Sequence, residues 1–313
     1  MENFIVFSPW ANFIIAHVLS LGAAAMFAGL VYFIVTAKQI SPKYRVANWL
    51  GAVVMVSAAL ELGNQYIVWK SSIVPFTGAD GATLFAVGEN SSRFSNGYRY
   101  VNWSIDVPVL LAQFVVVFGL MGKKFWSPVI QFTIAGLLMI YFGYIGQFFE
   151  AVPEAGTQIA AGASSVGGDL LASNVGQNAT YWLMFVVSCV FYLWILYLVL
   201  AVGLNKDNLA KLPPKAQAWM KAVVWTLFGS WMLYLVGYLM PAVSISEESA
   251  VIRQMAYTIA DIVSKVLYGI MLGYVAVLRS NAEGYNEDRL DRIGYDQGGK
   301  QLGQYDPTTE ATA

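Results

Sequence analysis

Apolar stretches of about 20 or more residues recur seven times in this 313-residue chain, at about 11–37, 45–70, 97–121, 126–150, 178–203, 215–241 and 249–278. Each is long enough to cross a hydrocarbon core of about 30 Å as a helix. Charged residues make up only 12% of the chain, roughly half the share of a soluble domain. The expectation is an all-α membrane protein, a bundle of seven transmembrane helices. The first run does not read as a cleavable signal: it is too long, no Lys or Arg precedes it, and Lys38 follows it. Residues 71–96 hold two short apolar runs around a Gly/Asp turn, which predicts a short external β-hairpin between helices two and three. One membrane domain over 1–280 and a polar, poorly ordered tail over 281–313 account for the chain. Residues 151–177, rich in Gly, Ala and Ser, read as an irregular outer loop.

Thirteen of the 18 basic residues fall on one side of this scheme: Lys38, Lys43, Arg45, Lys123, Lys124, Lys206, Lys211, Lys215, Lys221, Arg279, Arg289, Arg292 and Lys300. The opposite loops hold Asp80, Glu89, Glu154, Asp169, Glu247 and Glu248. The positive-inside rule then puts the N-terminus outside and the tail in the cytoplasm of a cell-membrane protein. A net charge of −1 argues against a nucleic-acid partner, and the lone Cys189, mid-helix, excludes an intrachain disulfide or a cysteine metal cluster.

Lys70 and Arg93 lie outside, which leaves Arg99, Arg253 and Lys265 to explain. Lys265 sits about sixteen residues, or about 24 Å of helix, from the outer end of its span. An intramembrane lysine is costly and needs a partner or a chemical task. Asp261, one turn away, offers a partner, and a buried structural Lys–Asp pair is one reading. A lysine in an apolar pocket is also what Schiff-base chemistry with an aldehyde requires. On helix three, Asn102, Asp106 and Gln113 are spaced four and seven, so they form one stripe. Asp106 and Glu61 each lie about 13 Å from the outer ends of their helices and should share a depth. Such a column lines an ion path, or is a structural network. Charge balance predicts that Glu61 and Asp106 share one proton through a short hydrogen bond. Trp103, Trp231, Tyr234 and Tyr238 fit ordinary packing, and beside Lys265 they also suit a flat apolar chromophore.

"RYVNWSIDVP" on helix three and "DIVSK" on helix seven resemble microbial rhodopsins, over about residues 2–280. Asn102, Asp106 and Gln113 match the Asn-Asp-Gln pattern of the light-driven sodium pumps, and "NGYRYVNW", "GYIGQFFE" and "RQMAYTIADIVSK" strengthen that likeness. The resemblance implies an outward sodium pump, a transporter and not an enzyme. Lys265 carries all-trans retinal as a protonated Schiff base, and Asp106 is counterion and proton acceptor; charge balance, and not the resemblance, adds Glu61 to the counterion group. Sodium passes Asn102, Asp261, Ser264 and Arg99. Asn48, Gly273, Gln113 and Ser57 belong to the cytoplasmic entrance, and Glu2, Glu150 and Arg253 to the outer release cluster. His17 matches a subunit boundary of pentameric relatives. Three positions depart from the pattern: Ser92 replaces an aspartate that reaches the neighbouring subunit, Leu235 a proline of helix six, and Glu61 an apolar residue. The alternatives are an outward proton pump, which Gln113 opposes because an amide donates no proton, and a photosensor of the same fold. A chloride pump is opposed by the charge of Asp106, and a retinal-free receptor would show no visible absorbance.

Overall fold

The protein was examined as a computed structural model, which describes residues 1–150, 152–153, 157–164 and 175–285. Among the described residues, seven helices of membrane length follow one another: α1 (Pro9–Thr36), α2 (Pro42–Ser72), α3 (Gly97–Val116), α4 (Lys123–Gln147), α5 (Val175–Gly203), α6 (Pro214–Val243) and α7 (Glu247–Ala282). Pro9, Pro42 and Pro214 stand at the first helical positions, where a missing N–H costs nothing. Six of the seven are apolar enough to cross a membrane by composition alone. The exception is α3, whose apolar character is diluted by Arg99, Asn102, Asp106 and Gln113. All four are buried, while Tyr98, Val101 and Ile105 face outward. Its polar stripe therefore looks into the bundle and its apolar face toward lipid.

Between α2 and α3, β1 (Ile73–Thr77) and β2 (Thr83–Val87) pair antiparallel, with Ile73 opposite Val87 and Thr77 opposite Thr83. The hairpin is joined by the N-terminal strand: Phe7 bridges Phe85, and Ile5 bridges Ile159 in parallel. These pieces cap one end of the bundle. At the other end, Glu283 accepts hydrogen bonds from Lys43, Tyr44 and Arg279, and Tyr285 donates to the Lys38 carbonyl. Residues 283–285 are thus tied to the start of α2 and the turn before it. Burial opposes ionisation of Glu283, but the Tyr44 and Lys43 donors prevail and hold its carboxyl below the usual range. In the α3–α4 turn, Gly119 takes φ 56°, and the Arg279 guanidinium lies 3.1 Å from where a Cβ would stand. Only glycine meets both demands.

Most of the outer-loop reading over 151–177, with Glu154 and Asp169, lies outside the described residues, as do Arg289, Arg292, Lys300 and the tail beyond Tyr285. Of that loop, residues 157–164 include Ile159, bridged to the N-terminal strand, and Gly162, whose N–H donates to Glu247 at 3.2 Å.

Candidate functional site

The seventh helix is not uniform. It is α-helical to Asp261, takes a π-helical turn over Ile262–Leu267, and resumes as α-helix at Tyr268. Lys265 sits inside that turn. A π turn inserts one residue into the helical repeat and swings the following side chains about the axis; such turns recur at functional sites.

The Lys265 ammonium is buried and has three oxygen neighbours: Asp261 Oδ1 at 2.8 Å, Asp106 Oδ2 at 2.9 Å and Asn102 Oδ1 at 3.3 Å. The structural Lys–Asp pair and the chemical constellation are therefore the same cluster. Asp261 is its hub. Its Oδ1 also accepts from Trp103 Nε1 at 3.1 Å and Tyr234 OH at 2.7 Å, and its Oδ2 from Arg99 Nη1 at 3.1 Å. Ser264 touches the Tyr234 hydroxyl at 3.1 Å. Asn102, in turn, donates to Ser57 Oγ at 2.6 Å. Ser57 thus belongs with the lysine cluster and not with the opposite entrance: it lies nine residues, about 13 Å of helix, from Asn48.

Asp106 turns Oδ2 to the lysine, and its Oδ1 makes no hydrogen bond. Glu61, one turn beyond Ser57 on α2, is buried with neither carboxyl oxygen hydrogen-bonded. The close partner of Asp106 is the Lys265 ammonium, at 2.9 Å.

Toward the hairpin end, Arg99 Nη2 donates to Gln254 Oε1 at 3.1 Å and Thr258 Oγ1 at 3.3 Å. Gln254 passes the connection on, donating to Glu2 Oε1 at 2.9 Å and Asn96 Oδ1 at 3.0 Å. Glu2 and Glu150 flank Arg253 at 3.5 and 2.8 Å, so the three expected together are together. Burial alone would raise the Glu2 carboxyl, but the Arg253 guanidinium and the terminal ammonium outweigh it and hold it at about 2. Gln254, Thr258 and Asn96 were not singled out from the sequence. A signal existed for two of them: Gln254, Thr258, Asp261 and Lys265 are spaced four, three and four, one polar stripe on one helix face.

At the tail end, Asn48 donates to the Phe33 carbonyl and to Thr36 Oγ1, and its own Oδ1 lies 3.4 Å from where a Cβ on Gly273 would stand. Gln113 is buried one helical turn deeper than this pair, beside Gly51. His17 is exposed on α1 beside Phe13, whose ring meets Phe85 of the hairpin; Ser92 is exposed as well.

A pocket opens beside Lys265. Trp103, Trp231, Tyr234 and Tyr238 all line it, and Trp103 meets Tyr234 and Tyr257 edge-on at 4.9 and 5.4 Å. Met139, Ile140 and Gly143 of α4 and Phe185 and Tyr192 of α5 complete the wall. Flat aromatic walls with one amine beside two carboxylates fit a long apolar aldehyde such as retinal, which Lys265 would hold covalently.

The bacteriorhodopsin-like protein family profile matches residues 13–278. The green-light absorbing proteorhodopsin of the Gamma-proteobacterium EBAC31A08 is 23% identical over 258 residues, 82% of this chain and 84% of its own. Among solved structures, thermophilic rhodopsin superposes with a TM-score of 0.73 and xanthorhodopsin, described as a light-driven ion pump with dual chromophore, with 0.72. Each is 23% identical to this chain and covers 90% of it and 100% of its own length.

Proposed function

This chain belongs to the bacteriorhodopsin-like family of multi-pass, retinal-binding membrane proteins, and from that premise we propose that it is a light-driven outward sodium pump with retinal on Lys265. One observation carries the reading: Asn102, Asp106 and Lys265 meet within 3.3 Å, while the next polar position on α3 is an amide, Gln113. An outward proton pump needs a donor on that side of the lysine, and an amide cannot serve. In the proposed orientation the hairpin end is extracellular and the tail end cytoplasmic.

Bound as a Schiff base, retinal supplies a light-driven change of shape. The residues do the rest. A positive charge held at the Lys265 nitrogen bars the path, since two unit charges 4 Å apart repel by about 4 kcal/mol at an effective dielectric of about 20. Asp106 accepts that proton at Oδ2, and both charges vanish. A sodium ion then meets the Asn102 and Asp261 oxygens, hard ligands of the kind it prefers. Return of the proton from Asp106 restores the barrier behind the ion. Arg99, pinned to Asp261, and the Glu2–Glu150–Arg253 cluster form the exit. Glu61 joins the counterion group, its side chain buried at that depth without a hydrogen bond. Asn48, Gln113 and Gly273 form the entrance. We also assign the exposed His17 face to contacts between subunits, a pentamer by resemblance.

The test is illumination of cells in sodium and in potassium salts, with external pH recorded and a protonophore present. In sodium the protonophore should leave or enlarge an alkalinisation, as protons enter to balance exported cations; in potassium it should abolish any signal. Acidification abolished by the protonophore in both salts would reject sodium export in favour of proton pumping.

A further inference from the structure

The buried ring of Phe33 lies between two helix backbones that carry no side chain there. Its Cε1 and Cζ are 2.9 and 3.0 Å from where a Cβ on Gly51 of α2 would stand, and Cζ is 2.6 Å from that of Gly269 on α7. Gln113 Nε2 reaches the same point above Gly51, at 3.1 Å. One turn toward the tail end the packing changes. Beside Gly273, four residues on from Gly269, the only atom within 4 Å of a Cβ would be Asn48 Oδ1, at 3.4 Å. That oxygen is buried and makes no hydrogen bond, and neither does Gln113 Nε2, which meets the same point above Gly51 as the ring. Each of two amides near this ring thus keeps one polar atom without a partner, Asn48 Oδ1 toward the tail end and Gln113 Nε2 at the level of Gly51.

The backbone of Phe33 is also held unusually. At the end of α1 the Ala37 N–H turns to the Ile34 carbonyl, a tightening into the 3-10 turn that follows. The Phe33 carbonyl, freed from its helical partner, accepts from Asn48 Nδ2 instead. The amide that borders the open space therefore grips the residue that closes it.

We propose that Phe33 is the valve of the tail-end half of the path: its ring separates the Asn48–Gly273 vestibule from Gln113 and the lysine cluster, and Asn48 sets its position. The cation such a valve admits rests on the sodium-export reading; the closure itself does not. Glycine at positions 51 and 269 leaves the ring its seat, and a ring seated on backbone has no room to let an ion by without moving. An unsatisfied Asn48 oxygen in the vestibule is a ligand for the arriving cation, and an amide drawn to that cation loosens its hold on the Phe33 carbonyl.

The experiment uses the retinal-loaded protein and two readouts. The first is the rate at which hydroxylamine bleaches the visible band in the dark, which reports access of a small polar reagent to the lysine. The second is recovery of the band after a flash in lithium, sodium, potassium and rubidium chloride. Phe33→Ala should bleach about tenfold faster, the effect of lowering the opening barrier by about 1.4 kcal/mol, and its recovery should respond to rubidium as well as sodium. Gly51→Ala, whose methyl group would displace the ring from its seat, should also bleach faster than the unaltered protein. Phe33→Leu, a milder truncation, should move both readouts in the same direction as alanine and serves if the alanine variant does not fold. Unchanged bleaching and an unchanged order of cations in either Phe33 variant would overturn the valve. If the unaltered protein recovers alike in all four salts, sodium export fails, while faster bleaching of Phe33→Ala still upholds the closure.

Discussion

Asp106 and Asp261 both touch Lys265, yet they should fail differently when neutralised. Asp106 has the lysine as its close partner, so Asp106→Asn should still fold and bind retinal. Its visible band should move to the red, because the positive nitrogen loses a counterion, and sodium efflux should vanish. Undiminished efflux would sink the proton-acceptor role. Asp261 instead balances Arg99 as well as Lys265 and receives Trp103 and Tyr234. Asp261→Asn leaves a fully buried guanidinium unpaired, a defect that costs about 3–5 kcal/mol in comparable buried pairs. Reduced pigment yield and faster thermal bleaching should accompany any loss of transport; a variant as heat-stable as the parent would show that Asp261 is not the hub. At this scale the sequence was informative because charges inside apolar runs are conspicuous. Lys265, Asp106, Asn102 and Arg99 stood out for that reason. The wall of Met139, Ile140 and Phe185 did not, because an apolar residue facing a cavity is chemically identical to one facing lipid.

Among the elements, the helices were legible and the π turn was not. Length and hydropathy fix a membrane span, whereas "IVSKVL" carries no proline or glycine, and its Ser and Lys suit an α turn as well as a π turn. The turn matters because it sets the angle between Lys265 and the α3 stripe. Deleting Val263 should restore plain α-helical geometry and rotate the residues on its C-terminal side by about 100° relative to those before it. The helix content by circular dichroism should stay near that of the parent, while the visible band with added retinal is lost. A normal band in that deletion would mean the π turn does not aim the lysine. The α3 helix is the complementary case: its polar stripe weakened it as a membrane span and simultaneously marked it as the working helix. The Ser57 assignment failed because α2 is long, and position along a helix, not membership of it, decides which cluster a side chain joins.

For the whole molecule, the seven-helix bundle was readable and the cap at the hairpin end only partly so. The hairpin followed from its turn, but its pairing with Phe7 and the bridge from Ile5 to Ile159 depend on which edges meet in space. The cap has a pH signature. Glu2 is held at about 2, against an ordinary carboxyl value of 4.5. A carboxyl depressed by folding contributes stability that is complete above its unfolded value and fades as pH falls through its folded one, here from about 4.5 to about 2. The amount is on the order of 3 kcal/mol. Thermal bleaching should therefore accelerate over that window, and Glu2→Gln should be less stable at neutral pH with a flatter acid response. Equal acid sensitivity in both proteins would place the loss elsewhere.

The same cap joins segments far apart in the sequence. Ser8 is held by Glu247 and Glu2 by Gln254, contacts that span 239 and 252 residues. Contacts this remote form late in folding, after the loop between their ends has closed. Residues 2–8 precede every helix of the bundle, yet their partners Glu247, Arg253 and Gln254 are encoded in α7. The lid over this end of the bundle can be set only after α7 has been made, so its closure follows the packing of the helices beneath it.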